Sequence, residues 1–337
     1  MVVLMTSVKK EALGQIFSFK SFIFGISLAI IVYLAIVIFS GWEDLLANLI
    51  RINPIVVLLA IMLSFANYIF RFLKWHIFTR SLNLEIPIKE NFQVFIAGLS
   101  LSITPAKIGE AIRAFLLQKL ISSDLSKGLA STFSERLIDL LAVTILALIG
   151  IIILGSQQSI VYLPILIVIL VFILFGVLIF LSDVLYNFFS KIFHLKPWAN
   201  VGIKIDKFRS DVAITLHYST FFVALCLGIM GWACEGLGFF LLAQNLNIGI
   251  NIEAAVFIYA TSSLLGALSF LPGGLGAVEG SMEFFLADLL TITAGLAGAL
   301  IILIRLTTLW FGLGLGVIFL FIIMKNIDKN EISSEVV

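Results

Sequence analysis

The chain has 337 residues, of which 61% are of the types AVILMFWYC and only 12% are charged. Soluble domains carry about a quarter charged residues, and half that number cannot cover a water-exposed surface, so the bilayer must solvate most of the outside. The 21 basic and 20 acidic side chains leave a net charge of +1 and no field to draw in a nucleic acid.

A bilayer core of about 30 Å is crossed by roughly 20 apolar residues in a helix. The run from Ser21 to Ser40 carries no charge and no A-x-A cleavage pattern follows it, so it reads as a retained first helix rather than a signal peptide. A second helix is predicted from Pro54, a residue favoured in the first helical turn, through Arg71, Lys74 and Trp75 to about Arg80, its last turns reaching the aqueous interface. Leu140 to Ser182 contains no charge and is long enough for two antiparallel spans with a polar turn at Gly155–Ser159. Residues 219–244 form a span carrying Glu235, and residues 292–324 a long last one carrying Arg305.

Two apolar stretches, 91–104 and 254–271, behave differently: they are short, and each stops at a proline, Pro105 or Pro272. Short apolar segments are more often re-entrant than spanning, so each is predicted as a hairpin broken at its proline. The expected fold is an all-α polytopic membrane protein, with about six spanning helices plus two broken re-entrant hairpins arranged as an inverted repeat. Its boundaries are an N-terminus at 1–20, a single transmembrane domain at 21–325 and a tail at 326–337. Within the domain, repeat 1 covers about 54–154, a linking helix and cytoplasmic loop 162–217, and repeat 2 about 219–324.

Basic residues test this layout. With six crossings, Lys9, Lys10, Lys20, Arg71, Lys74, Arg80, Lys89, Arg113, Lys119, Lys127, Lys191, Lys196, Lys204, Lys207, Arg209, Lys325 and Lys329 fall on one face. The other face receives Arg51 and the acidic cluster Glu279, Glu283 and Asp288. The positive-inside rule then places both termini in the cytoplasm of a cell-membrane protein.

The repeat rests on two matches. Leu82–Ile88 (LNLEIPI) recurs as Leu246–Ile252 (LNIGINI), and Ser102, Pro105, Gly109 and Gly128-Leu129-Ala130 recur, after a three-residue slip, as Ser269, Pro272, Gly276 and Gly295-Leu296-Ala297. Three crossings separate the copies, so they have opposite orientation. Inverted repeats with interrupted helices are a recurrent transporter architecture, and non-helical backbone survives in lipid only where protein or a water-filled cavity satisfies it.

The candidate site gathers the charges that remain inside. Glu110 and Arg113 share a helix face, as do Glu135, Arg136 and Asp139; Glu279 and Glu283 are like charges one turn apart, which favours a shared proton or cation. Arg305 has 16 uncharged residues before it and 19 after, and is expected to pair with one of these carboxylates. Glu110, Arg113, Glu135 and Arg136 also suit structural ion pairs at the cytoplasmic interface. The helices starting after Thr104-Pro105 and Pro272-Gly273-Gly274 would expose amide N–H groups to an anion, with Lys107 at the first; Gly109 and Gly276 equally suit tight turns. Gly312 and Gly316 form a GxxxG that reads as helix packing. Cys226 and Cys234 read as buried thiols, and His76, His194 and His217 have no metal-ligand spacing, so neither a metal nor any cofactor is expected.

The stretches SITPAKIGEAIR (102–113), SERLIDLL (134–141) and FLPGGLGAVEG (270–280) resemble the flippase-like transmembrane domain of lysylphosphatidylglycerol synthases and its stand-alone relatives. That resemblance implies a protein that handles membrane lipids, with Pro105, Lys107, Gly109, Glu110, Arg113, Glu135, Arg136, Asp139, Pro272, Gly273, Gly274, Gly276 and Glu279 at motif positions. Ala106 and Lys107 depart from the family's usual Gly and Arg, and lysine lacks the bidentate fork for phosphate. The synthases' soluble transferase domain is not expected in this chain. The leading expectation is a lipid flippase or transporter, not an enzyme, that moves a phosphate-bearing lipid. The rivals are a scaffold for a lipid- or glycan-synthesis enzyme and an intramembrane transferase or hydrolase with Glu279 as base.

Overall fold

The structure is a computed structural model that describes residues 19–155, 160–191 and 199–335, and it is helical throughout with no strand among the described residues. Helix α1 (Phe19–Ser40) is followed across Gly41 by α2 (Trp42–Arg51), an amphipathic helix absent from the sequence reading. Gly41 has φ +76°, a left-handed conformation that glycine adopts without steric penalty. Helix α3 (Pro54–Ser81) starts as expected, with Pro54 in its first turn and the Asn53 side chain accepting from the Ile55 N–H.

The first hairpin consists of α4 (Ile88–Gly98), short 3₁₀ segments at Leu99–Leu101 and Pro105–Ala111, and α5 (Ile112–Ile121). Helix α6 (Leu125–Leu154) is capped by the Asp124 side chain at its start and ends at Gly155, φ +57°. The rest of the expected turn at 155–159 lies outside the described residues, and α7 (Leu163–Leu181) follows. The stretch expected as a cytoplasmic loop instead holds α8 (Asp183–Ser190) and α9 (Ala199–Thr215), and α9 packs on α6. Lys196 and His194 lie outside the described residues.

Helix α10 (Tyr218–Asn245) leads to the second hairpin: α11 (Ile252–Leu268), a turn at Pro272–Gly274 and α12 (Ala277–Leu290). Helix α13 (Ala294–Arg305) continues through a π-helical turn at Leu306–Trp310 into α14 (Phe311–Glu335), so the expected tail prolongs the last helix through Glu335. Six helices are long and apolar enough to cross a membrane: Ile23–Ser40, Pro54–Ser81, Leu125–Leu154, Leu163–Leu181, Tyr218–Asn245 and Ala294–Ile327.

The repeat is visible in the backbone. Helices α3 and α10 each have 28 residues and close with the same turn. Asn83 (φ +53°) and Asn247 (φ +57°) are both left-handed. The Leu84 N–H donates to the Thr79 carbonyl at 3.0 Å and the Ile248 N–H to the Ala243 carbonyl at 3.0 Å. Side-chain entropy aside, asparagine tolerates this conformation because its short polar group bonds locally, which explains why the paired asparagines carried the sequence signal.

Helices α3 and α10 also pack antiparallel. A Cβ at Gly231 would sit 3.3 Å from Asn67 Nδ2, one at Gly238 would sit 3.8 Å from Ala60, and the Asn53 N–H donates to Asn245 Oδ1 at 2.9 Å. Asn67 and Gly231 are themselves equivalent positions, so they mark a pseudo-dyad between oppositely directed copies. The hairpins are exchanged across it: α4 packs on α14 of the second copy, and α11 packs on α6 of the first.

After the breaks the register differs from the sequence match. Ser122 and Thr291, both left-handed, end α5 and α12, and Asp124 and Thr293 cap the next helices. Relative to Gly109, Gly276 is followed by two extra residues, Ala277 and Val278. The Gly128-Leu129-Ala130 match to Gly295-Leu296-Ala297 is therefore two residues out of register, a coincidence among small apolar residues.

Candidate functional site: a buried ion-pair layer beside a polar cavity

Helix α6 is the spine of the site. Glu135 and Asp139 lie one turn apart on its buried face, and α3 turns Arg71 and Lys74 toward them. Arg71 Nη2 donates to Glu135 Oε1 at 2.9 Å, while its Nε lies 3.6 Å from Asp139 Oδ2. Lys74 Nζ donates to Asp139 Oδ1 at 2.5 Å, and Trp232 Nε1 of α10 donates to the same oxygen at 3.0 Å. From the first hairpin, Arg113 pairs with Glu135 Oε2 and, at 3.2 Å, with Glu110 Oε2. Arg136 closes the layer on Glu110, whose other oxygen accepts from Ser102 Oγ at 3.2 Å.

Lys74, Arg113 and Glu135 are 0% exposed. Arg71 and Lys74 are therefore not interfacial charges that reach water, as the sequence reading had them; the carboxylates of α6 satisfy them inside the protein. Burial of this kind is tolerated only with near-complete pairing, and the layer meets the condition with four cations, Arg71, Lys74, Arg113 and Arg136, against Glu110, Glu135 and Asp139. The guanidinium of Arg113 also lies 4.3 Å from the ring centroid of Phe95.

The second break carries a smaller arrangement. Arg305 Nε lies 2.7 Å from Glu279 Oε1, and Arg305 Nη2 donates to the Gly273 carbonyl at 2.7 Å. Glu279 Oε2 accepts from the Gly276 N–H at 2.7 Å, so the first turn of α12 is capped by its own glutamate and not left open for an anion. At the first break the Gly109 N–H likewise donates to Thr104 Oγ1 at 2.8 Å, and Pro105 opens a 3₁₀ segment. The amide anion sites expected at Thr104-Pro105 and Pro272-Gly273-Gly274 are thus partly self-satisfied, and arginine side chains carry the positive charge instead. Glycine is required at Gly273, Gly274 and Gly276 by φ values of +61°, +66° and +85°. Glu283, one turn past Glu279, is half-buried and makes no ion pair with a described residue, whereas Glu279 is held by Arg305. The side chain of Lys107 lies outside the described residues.

Between the breaks lies a cavity of about 360 Å³. Its polar wall comprises Arg71, Glu110, Arg136, Asp139, Glu235 and Arg305, and Ser102, Gly273 and Gly274 bring both breaks to it. Tyr259 donates to Glu235 Oε2 at 2.5 Å. Phe270 and Leu271 line the cavity while also facing outward, Phe270 being 68% exposed, so the charged wall has an apolar rim. Tyr68 and Gly312 complete the wall at the π-helical turn, where Tyr68 OH donates to the Thr308 carbonyl at 2.7 Å.

Sequence reasoning left Arg71, Lys74, Glu235, Tyr259 and Trp232 out of the site. One signal could have found two of them. Arg71 and Glu235 occupy equivalent positions of the 28-residue helices α3 and α10, so an opposite charge stands at the same place in each copy. Cys226 and Cys234 are free thiols as expected, but Cys226 is exposed and Cys234 half-buried, because their helix α10 turns these positions away from the packed interior.

Six apolar helices, two interrupted hairpins and a polar interior define a multi-pass membrane protein. The chain belongs to the family of the lysylphosphatidylglycerol synthase TM region, whose profile matches residues 24–316. It is similar to a UPF0104 membrane protein of Methanocaldococcus jannaschii, 31% identical over 240 residues that span 68% of this chain and 97% of the relative. A UPF0104 membrane protein of Methanothermobacter thermautotrophicus is 24% identical over 316 residues, 87% of this chain and 92% of the relative. One from Pyrococcus horikoshii is 22% identical over 321 residues, 85% and 92% of the respective chains.

Proposed function

We propose that the protein moves a phosphate-bearing lipid between leaflets of the cell membrane, with both termini in the cytoplasm. The observation that carries this reading is the cavity at the meeting of the two breaks, with Arg71, Arg136 and Arg305 on its wall and Phe270 and Leu271 on its rim. A headgroup phosphate fits the guanidinium fork, which pairs bidentately with phosphate, while the acyl chains stay in the bilayer past the apolar rim. The inverted repeat supplies two related halves that can rock about a fixed site. Membership of the family supports a role with lipids and names no substrate.

The test is transport by the purified protein in vesicles containing fluorescent phospholipids or polyprenyl-phosphate lipids, with reduction of outer-leaflet label as the readout. The reading expects at least one phosphate-bearing lipid to exchange leaflets faster than in protein-free vesicles, and a neutral diacylglycerol to show no protein-dependent gain. Equal rates with and without protein for every lipid class, with and without a proton gradient, would sink it. In that event a scaffolding role for a lipid- or glycan-synthesis enzyme becomes the better reading, and capture of such an enzyme from detergent extracts is its test.

A further inference from the structure

Each proline break is followed by a glutamate that reaches an arginine on the next long helix: Glu110 to Arg136, and Glu279 to Arg305. In the register marked by Ser122 with Thr291 and Asp124 with Thr293, these are the same two positions of the repeat. Both arginines line the one cavity. Neither is fully used by its carboxylate. Arg136 meets Glu110 at Nη2 while its buried Nε makes no hydrogen bond, and Arg305 meets Glu279 at Nε while its Nη2 donates to the Gly273 carbonyl.

We propose that Arg136 and Arg305 are two equivalent stations for the phosphate of a lipid headgroup, each exchanging its glutamate for the phosphate as the headgroup passes. The proposal rests on the transport reading above and adds the residues and the order of affinity. A buried guanidinium needs a counter-anion at all times, and Glu110 and Glu279 supply it while the station is empty. A phosphate arriving in the cavity replaces a carboxylate by another anion with better bidentate geometry, so the guanidinium stays compensated, while the released Glu110 keeps Arg113 and the released Glu279 keeps the Gly276 N–H. The antiparallel copies place the two stations in opposite directions about the pseudo-dyad at Asn67 and Gly231, as movement between two leaflets requires.

The stations differ in strength. Around Arg136 the layer holds Arg71, Lys74 and Arg113 in addition, four cations to the three carboxylates Glu110, Glu135 and Asp139. Around Arg305 the one paired carboxylate is Glu279, and Glu235, at the position equivalent to Arg71, stands elsewhere on the cavity wall. Phosphate is therefore held more firmly at Arg136.

The experiment is calorimetric titration of the full-length protein in detergent with dioctanoyl phosphatidic acid, with dioctanoylglycerol and inorganic phosphate as separate arms. The wild type should bind phosphatidic acid and not the diacylglycerol. Loss of a charged hydrogen-bonding partner predicts that Arg136→Gln weakens binding about tenfold or more and Arg305→Gln by less, with binding abolished in the double variant. Arg305→Lys keeps the charge and loses the fork, and should fall between wild type and Arg305→Gln; it covers the case in which Arg305→Gln fails to fold. Glu279→Gln should tighten binding, since it removes the competing anion, and a merely structural ion pair would give no such gain. Unchanged affinity in folded Arg136→Gln and Arg305→Gln, or weaker binding in Glu279→Gln, overturns the stations. If inorganic phosphate binds as tightly as phosphatidic acid with the same arginine dependence, the stations stand and the lipid assignment falls. Binding that follows the predicted pattern in a protein that moves no lipid sustains the stations and overturns the transport reading.

Discussion

At the scale of single residues, the buried layer makes unequal demands on its members. Glu135 serves both Arg71 and Arg113, so its removal leaves four cations facing two carboxylates. Glu135→Ala is expected to lower stability by about 3–5 kcal/mol, the range for stranding buried charge. Lys74→Met leaves three cations against three carboxylates, with Asp139 still held by Trp232 and near Arg71, and should cost distinctly less. Thermal unfolding of the two variants in detergent gives the order, and a larger loss for Lys74→Met would contradict this account of the layer. Arg71 and Lys74 show why residue roles were only half legible. Their types and spacing in α3 were plain, but whether a basic residue near a helix end meets water or a carboxylate depends on which helix packs beside it.

At the scale of elements, close helix approach depends on small residues at a few defined points. A methyl group at Gly316 would overlap the Ser100 backbone nitrogen, and one at Gly312 would overlap the Tyr68 hydroxyl, whereas Gly314 has nothing within 4 Å. Gly316→Ala should cost about 1–3 kcal/mol through overpacking against backbone, and Gly314→Ala should be close to neutral, as measured by unfolding midpoints. The GxxxG pattern thus marks packing of α14 against α3 at Gly312 and against the first hairpin at Gly316, in keeping with the helix-packing role its spacing suggested. The start of α6 is sensitive to pH. Lys207, and then the Ser126 N–H, hold the Asp124 carboxyl below its ordinary value of 3.8. A carboxyl with a lowered folded value contributes stability that is present above the unfolded value and lost as pH falls through the folded one. Docking of α9 on α6 should therefore weaken only below about pH 4, and Asp124→Ala, at about 1 kcal/mol for the lost cap, should remove that acid dependence. Amide exchange at 199–215 as a function of pH checks both.

At the scale of the whole molecule, six helices are long and apolar enough to cross a membrane, an even number that would return the chain to its starting side, and the proposed orientation puts the basic face in the cytoplasm. Reporter fusions at each terminus should both signal a cytoplasmic location, and opposite signals would require an odd number of crossings. The exchange of hairpins between copies also predicts cooperative unfolding. Because α4 rests on α14 and α11 on α6, neither half buries its hairpin alone. A chain severed between 190 and 199 and expressed as two pieces should be stable only when both pieces are present, as judged by co-purification.

Composition and apolar run lengths by themselves determined the class of protein, the number of long helices and the location of both breaks. Those features follow from local physics: the bilayer demands a continuous apolar helix, and a proline at the end of an apolar run interrupts one. The paired asparagines and prolines also revealed the repeat, because left-handed turns and helix breaks restrict which residues can occupy them. Only the tertiary structure decided the rest. It turned Arg71 and Lys74 inward, paired Glu279 with Arg305, shifted the second copy by two residues, and brought Arg136 and Arg305 to one cavity. Such pairings join residues far apart in the chain, and in a bilayer the lowest-energy partner of a charge is set by which helices cross at the same depth, a property that no single stretch of sequence contains.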